Sequence, residues 1–192
     1  LGTPIYLVAS FPAGMTLADT FGVGGADHAP WARILHTISL VAVLAHVRDP
    51  GNAGTIIRIA DAMGADAVIF AGDTVDPESP KVVRSTAGSL FHIPVARDRE
   101  VRRVISQLEH AGLSTFATTM NGEVNLARPG ETLTQPTAWL FGNEAHGLDE
   151  ETLAAAPLTV RIPLAGHAES LNVHTAATVC LFETLRRRRA GA

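Results

Sequence analysis

An α/β fold with a largely parallel sheet and helices on both faces is what this sequence predicts, and two observations carry the prediction. Short, wholly apolar runs recur at residues 41–45, 67–71 and 138–141, as strands buried on both sides require. Between them lie stretches with helical spacing, such as Ala53, Ile56, Ile57, Ala60 and Met63, which suit crossover helices.

Residues 1–33 carry little pattern. Residues 5–9 suit a short strand, but Gly14, Gly22, Gly24, Gly25 and Pro30 punctuate the stretch after it, as in a linker. The regular order begins at Val41 and runs into the turn signal Asp49-Pro50-Gly51. Asn52 is the expected cap of the first helix, and Gly64 suits its end. After the strand at 67–71 come a short helix near 82–87, a strand at 93–95 and a basic amphipathic helix over 98–111. Further strands are expected at 114–118, 138–141 and 158–162. The last helix spans about 171–189, with Val173, Ala177, Cys180 and Leu181 on one face. Arg186, Arg187, Arg188 and Arg189 end it, where the helix dipole favours cations.

Bulk composition narrows the class. A chain of 192 residues, 46% hydrophobic and 18% charged, can bury one full core. The single cysteine, Cys180, excludes an internal disulfide and fits a reducing cytoplasm. No apolar run is long enough to cross a bilayer. A net charge of −4 does not advertise a nucleic-acid binder, yet phosphate contact depends on local potential rather than the total. Between residues 81 and 103 there are six basic residues against two acidic ones, and between 119 and 156 six acidic residues against Arg128. Solvated helix faces explain such a distribution equally well.

Three segments that follow strands concentrate glycine, proline and polar residues. In the first, Pro50-Gly51-Asn52 opens a helix and Arg58 lies two turns inside it. In the second, a buried strand opens into Gly142-Asn143-Glu144, followed by Gly147-Leu148; glycine there permits close backbone approach. The third, Ile162-Pro163 through Ser170-Leu171-Asn172-Val173, feeds the last helix. A capped turn accounts for any one of these alone. Capping explains Ser170 or Asn172, but not easily both beside Gly166.

Taken together and in this order, the three segments resemble the three motifs of the SpoU/TrmH family of SPOUT methyltransferases, across residues 41–189. Asn52 with Arg58 is similar to motif 1, Gly142-Asn143-Glu144 with Gly147-Leu148 to motif 2, and Ile162-Pro163 through Val173 to motif 3. His174 departs from the pattern, standing where the family more often has a small residue. The resemblance implies a C-terminal deep trefoil knot, which bottom-up rules would not propose. It also implies a homodimer with the active site close to the interface. Many members carry an N-terminal RNA-recognition domain, so residues 1–33 are expected to be its remnant or linker and 34–192 the methyltransferase domain.

The implied activity is methylation of an RNA ribose 2′-hydroxyl, with S-adenosylmethionine as cofactor and ribosomal RNA ahead of transfer RNA as the partner. By resemblance, the backbone of Leu140, Phe141, Gly142, Ile162, Leu164 and Leu171 cradles the donor, and Thr118 lines the same pocket. Arg58 activates the hydroxyl, Asn52 and Glu144 orient it and the substrate, and Ser170 and Asn172 fix the third loop and contact the ribose. Arginine is effectively always protonated, so hydrogen bonding to the developing alkoxide and the adjacent phosphate suits Arg58 better than proton abstraction. Glu144 as general base is the competing assignment.

Rival readings fare worse. A dinucleotide-binding dehydrogenase wants three phosphate-loop glycines, which the 50–55 segment lacks. A serine hydrolase wants a G-x-S-x-G elbow, which is absent. His167, Glu169 and His174 form an H-x-E-x₄-H run, read as polar surface rather than a metal site because no cysteine cluster accompanies it. A non-catalytic RNA-binding module on the same fold stays open.

Overall fold

The computed structural model describes residues 38–130 and 132–190. The expectations for residues 1–33, the short strand at 5–9 included, lie outside the described residues.

Seven parallel strands form one sheet in the order β3-β2-β1-β6-β4-β7-β5. They are β1 (Leu40–Ala45), β2 (Ala67–Ala71), β3 (Val95–Asp98), β4 (Ser114–Thr118), β5 (Val124–Asn125), β6 (Thr137–Phe141) and β7 (Leu158–Arg161). The helices are α1 (Pro50–Ala62), α2 (Pro80–Ser85), α3 (Val101–His110), α4 (Glu150–Ala155) and α5 (Val173–Ala190).

Strand alternation builds two cores. On β1, Leu40, Ala42 and Leu44 face the layer made by α1, Val82 of α2, and α5. Val41, Val43 and Ala45 face α3 and the residues around α4. Every β1 side chain is therefore buried, which is why the strand reads as an unbroken apolar run. Within the first core, Trp139 lies 5.1 Å from Phe116 between ring centroids, and its indole N–H donates to the buried Thr184 hydroxyl at 3.0 Å. Where α1 crosses α2, Gly54 is required: a Cβ there would stand 2.5 Å from the Val82 carbonyl oxygen.

Several boundaries differ from expectation. The cap of α1 is Asp49, not Asn52; its carboxylate accepts from the Asn52 backbone N–H at 2.7 Å. Pro50 at the first helical position sets φ and has no N–H to satisfy, so the helix starts three residues early and the Asn52 side chain is released for other work. The strand expected at 93–95 is displaced to β3, and α3 begins at Val101 rather than Asp98. Asp98 ends β3 as a buried carboxylate, held by Arg103 Nε at 3.0 Å and Nη2 at 2.5 Å and by the Glu100 N–H. Arg102 pairs with Glu151 at 2.9 Å, so the basic face of α3 is partly neutralised within the fold. The last helix starts at Val173, two residues later than expected, with Asn172 taking the cap. Its terminal arginines do more than face a dipole. Arg186 and Arg187 hold Glu183, and Arg188 donates to the carbonyls of Ser39 and Gln135. Among the described residues, no helix is long and apolar enough to cross a membrane.

Candidate active site

The carboxyl ends of β4, β6 and β7 open into one cleft of about 410 Å³, at the rim where parallel sheets bind ligands. Thr118 and Met120 follow from β4, residues 142–148 from β6, and Ile162, Leu164, Ser170 and Leu171 from the segment after β7.

The turn after β6 is held by its own backbone and by one side chain. Asn143 and Gly147 exchange N–H···O bonds of 2.9 and 2.8 Å. Asn143 Oδ1 accepts from Ala145 N–H at 2.9 Å, and its Nδ2 donates to the His46 carbonyl beyond β1. Gly142 lies flush against this turn, since a Cβ would stand 2.3 Å from the Gly147 carbonyl carbon. Gly147 itself adopts φ +69°, a conformation glycine takes without strain.

Glu144 lines the cleft and ties it to α1. Its Oε2 accepts from the Arg48 N–H at 3.3 Å, and its Oε1 from the Asp49 N–H at 3.2 Å and from Asn52 Nδ2 at 3.1 Å. Both carboxylate oxygens are thus committed to donors, an arrangement suited to clasping two loops together. Asn52 in turn meets His174 Nδ1 through Oδ1 at 3.0 Å.

Of the residues singled out in the sequence, Thr118, Gly142, Glu144, Ile162, Leu164, Ser170 and Leu171 lie on the cleft wall. Asn52 reaches it through Glu144. Leu140 and Phe141 do not line it: both are fully buried within β6, paired to β1, with Leu140 also paired to β4. The Leu140 carbonyl accepts the Thr118 hydroxyl at 2.8 Å, which fixes that side chain at the cleft mouth. Asn172 is likewise off the wall. Its Oδ1 caps α5 by accepting the His174 N–H at 3.0 Å, which leaves Ser170 uncommitted on the wall.

Arg58 is exposed and does not line the cleft. At about 100° per residue, it points roughly 120° around α1 from Asn52. It has no hydrogen-bond or ion-pair partner among the described residues.

Other wall residues were not named as site residues in the sequence, among them Asn143, Met120 and Glu169. Asn143 stands inside the second segment, and its fit between two glycines was the available signal. Met120, 66% exposed, and Glu169 also line the cleft; nothing local marks Met120, and Glu169 stood only within the third segment and the H-x-E-x₄-H run. Glu169 and His174 of the H-x-E-x₄-H run diverge, one to the cleft wall and the other to Asn52. Among the described residues, no group of three His, Cys, Asp or Glu could hold a metal ion.

The wall chemistry is mixed. Leu148, Val160, Ile162, Leu164 and Leu171 offer apolar surface, while Glu144 and Glu169 add negative charge. That combination suits a largely apolar ligand bearing positive charge.

Comparison with known proteins decides the family. The model of the SpoU rRNA Methylase family matches residues 39–182. The chain belongs to the SpoU family. It is 39% identical over 149 residues to a 23S rRNA (guanosine(2553)-2'-O)-methyltransferase of Bacillus subtilis, covering 77% of this chain and 58% of that protein. A 23S rRNA (uridine(2479)-2'-O)-methyltransferase of Streptomyces viridochromogenes is 42% identical over 147 residues, 74% of this chain and 50% of its own length. An AdoMet-bound rRNA methyltransferase from Sinorhizobium meliloti superposes with a TM-score of 0.73 at 41% identity, over 80% of this chain and 60% of that one. This SpoU chain therefore spans between half and three fifths of the length of these three relatives.

Proposed function

We propose that the chain is the catalytic domain of an RNA 2′-O-methyltransferase that uses S-adenosylmethionine and acts on ribosomal RNA. One observation carries the reading: loops after three parallel strands converge on a single cleft, and two of them bear the second and third family motifs, with the first motif clamped on through Glu144. The named activities of the Bacillus and Streptomyces relatives support the RNA ribose as substrate. A cytoplasmic setting goes with that substrate.

The cleft fits the cofactor. Its volume of about 410 Å³ falls in the range of small-molecule sites, roughly 300–1,000 Å³. Apolar walls suit the adenine and thioether skeleton, and the carboxylates of Glu144 and Glu169 suit a cation. When bound, the sulfonium supplies an electrophilic methyl group to an oxygen nucleophile. Methylation there would release the hydroxyl proton to water and the spent donor as a neutral thioether. Fixing both reactants in line accounts for much of the rate gain such a site can reach. Thr118, Gly142, Ile162, Leu164 and Leu171 hold the donor in this reading, with Leu140 and Phe141 acting behind the wall by fixing Thr118 and the turn. Ser170 contacts the ribose, and Asn172 holds the third loop onto α5.

Arg58 supplies charge stabilisation to the developing alkoxide. Since it points away from the cleft of its own chain, we pair the chain as a homodimer in which Arg58 of one copy faces the cleft of the other. The exposed, unpartnered position of Arg58 and the 51% exposure of Phe182 on the neighbouring helix α5 support a covered face. We also assign residues 34–192 to one methyltransferase domain with a deep trefoil knot. Its support lies around β7. Residues 119–126 run outside that strand, with Gly122 packed on the Val160 and Arg161 backbone and the Leu126 N–H on the Arg161 carbonyl. Residues 162–172 then return inward, bringing α5 against α1 and β6.

Calorimetric titration with S-adenosylmethionine, followed by transfer of labelled methyl groups to 23S rRNA and to transfer RNA, tests the proposal. Saturable binding with label in a ribosomal 2′-O-methyl nucleotide is expected. Absence of donor binding overturns the reading, and label confined to transfer RNA overturns the substrate.

A further inference from the structure

Asn52 Oδ1 and His174 Nδ1 lie 3.0 Å apart, 122 positions distant in the chain. The amide of Asn52 sits between two acceptor-capable groups, Glu144 Oε1 at 3.1 Å and His174 Nδ1 at 3.0 Å. Both Glu144 oxygens already receive backbone N–H groups from Arg48 and Asp49. A carboxylate accepts only, so the Asn52 atom facing it must be Nδ2. Oδ1 then faces His174, and an oxygen there needs a donor. In the neutral imidazole, Nδ1 must therefore carry the hydrogen, leaving Nε2 with its lone pair. Rotating the amide by half a turn would set Oδ1 against the carboxylate and break both contacts at once.

We propose that His174 is a positioning residue of the cleft: its Nδ1–H fixes the Asn52 amide so that Nδ2 faces Glu144. The backbone of His174 is itself held, since its N–H is accepted by Asn172 Oδ1 and its carbonyl accepts the Thr178 hydroxyl at 2.8 Å. A continuous run of hydrogen bonds thus connects Asn172, His174, Asn52 and Glu144. It couples the start of α5 to the start of α1 and to the turn carrying Gly142. Two of its contacts span long stretches of chain, 122 positions for Asn52–His174 and 92 for Asn52–Glu144, so the run joins three loops distant in sequence. Such networks act as units, and losing one member is felt by the rest.

The hydrogen bonds stand on geometry alone, whereas their effect on ligand binding rests on the proposed cofactor, so the test has two separable arms. The first is ¹⁵N NMR of the labelled protein at a pH where imidazole is neutral. A His174 ring in the Nδ1–H tautomer is expected, with an Asn52 side-chain amide signal that moves in His174→Leu. A dominant Nε2–H tautomer, or an Asn52 signal indifferent to His174→Leu, overturns the proposal whatever the cleft binds. The second arm measures S-adenosylmethionine affinity. His174→Leu, which keeps bulk and removes the donor, is expected to weaken binding about tenfold, and His174→Asn, which returns an N–H at the same position, to stay within about twofold of the wild type. Equal loss in both variants shows a purely steric role and overturns the proposal. If the wild type binds no donor, the cofactor reading fails and the tautomer alone decides.

Discussion

Asn52 and Glu144, 92 positions apart in the chain, meet through an amide–carboxylate hydrogen bond of 3.1 Å. Glu144 is thereby a clasp rather than a free base, because three N–H groups already occupy its two oxygens. Glu144→Gln places an NH₂ group where an N–H now donates, so one contact becomes a donor–donor clash. We expect donor affinity to fall about tenfold, with the shape of the single-turnover pH–rate profile unchanged. Disappearance of the acid-side limb, where rate rises with pH as a base loses its proton, would return the role of general base to Glu144.

Arg58 should behave in the opposite way. It is exposed, and no described residue partners it, so Arg58→Ala is expected to leave the thermal midpoint and donor affinity unchanged. Turnover should fall by at least about a hundredfold, and Arg58→Lys should not restore it if the planar fork is what the transition state needs. Mixing tests the shared site directly. An Arg58→Ala chain combined with a Leu164→Arg chain, whose cleft is obstructed, should regain about a quarter of wild-type activity if each site draws on two copies. No regain would place the whole site within one chain.

How much of this was legible in the sequence depended on range. Strands β1, β2 and β6 declared themselves because burial on both faces demands unbroken apolar runs. Strand β5 did not, since Val124 and Asn125 are held by two pairings to β7 and carry no run of their own. Helix α4 was overlooked although its signal was present: Asp149 caps it through the Thr152 N–H at 2.7 Å, with Glu150 and Glu151 in the first turn. The cap of α1 was misplaced because Pro50 moved the start. In the site, resemblance supplied the loops, and seven of the named positions, from Thr118 to Leu171, reached the wall. The contacts of Asn143 with His46 and of Asn52 with His174 had no local signature. They form between residues 97 and 122 positions apart, and only the sheet order brings them together.

Packing beneath the site makes its own prediction. The Trp139 indole N–H has one acceptor, the Thr184 hydroxyl, and both residues are fully buried. The hydroxyl passes its own hydrogen to the Cys180 carbonyl at 3.0 Å. Thr184→Val keeps the shape and orphans the indole, which should cost about 1–3 kcal/mol. Urea denaturation measures this directly, and Thr184→Ser should recover most of the loss. A Val variant as stable as the wild type would mean the indole finds another acceptor.

Acid should weaken the end of α5 at a definite point. Hydrogen bonds from Arg186, and next from Arg187, outweigh desolvation and pull the Glu183 carboxyl from its ordinary 4.5 to about 2. Because the folded value lies below the unfolded one, the stabilisation is fully present above about pH 4.5 and is lost as pH falls toward 2. Glu183→Gln removes the linkage, so its stability deficit relative to the wild type should be constant near neutrality and shrink through that window. Denaturant titrations of both proteins at stepped pH check it. A deficit that stays constant down to pH 2 would show that the arginines do not discriminate the charged carboxylate, and that Glu183 owes its place to packing alone.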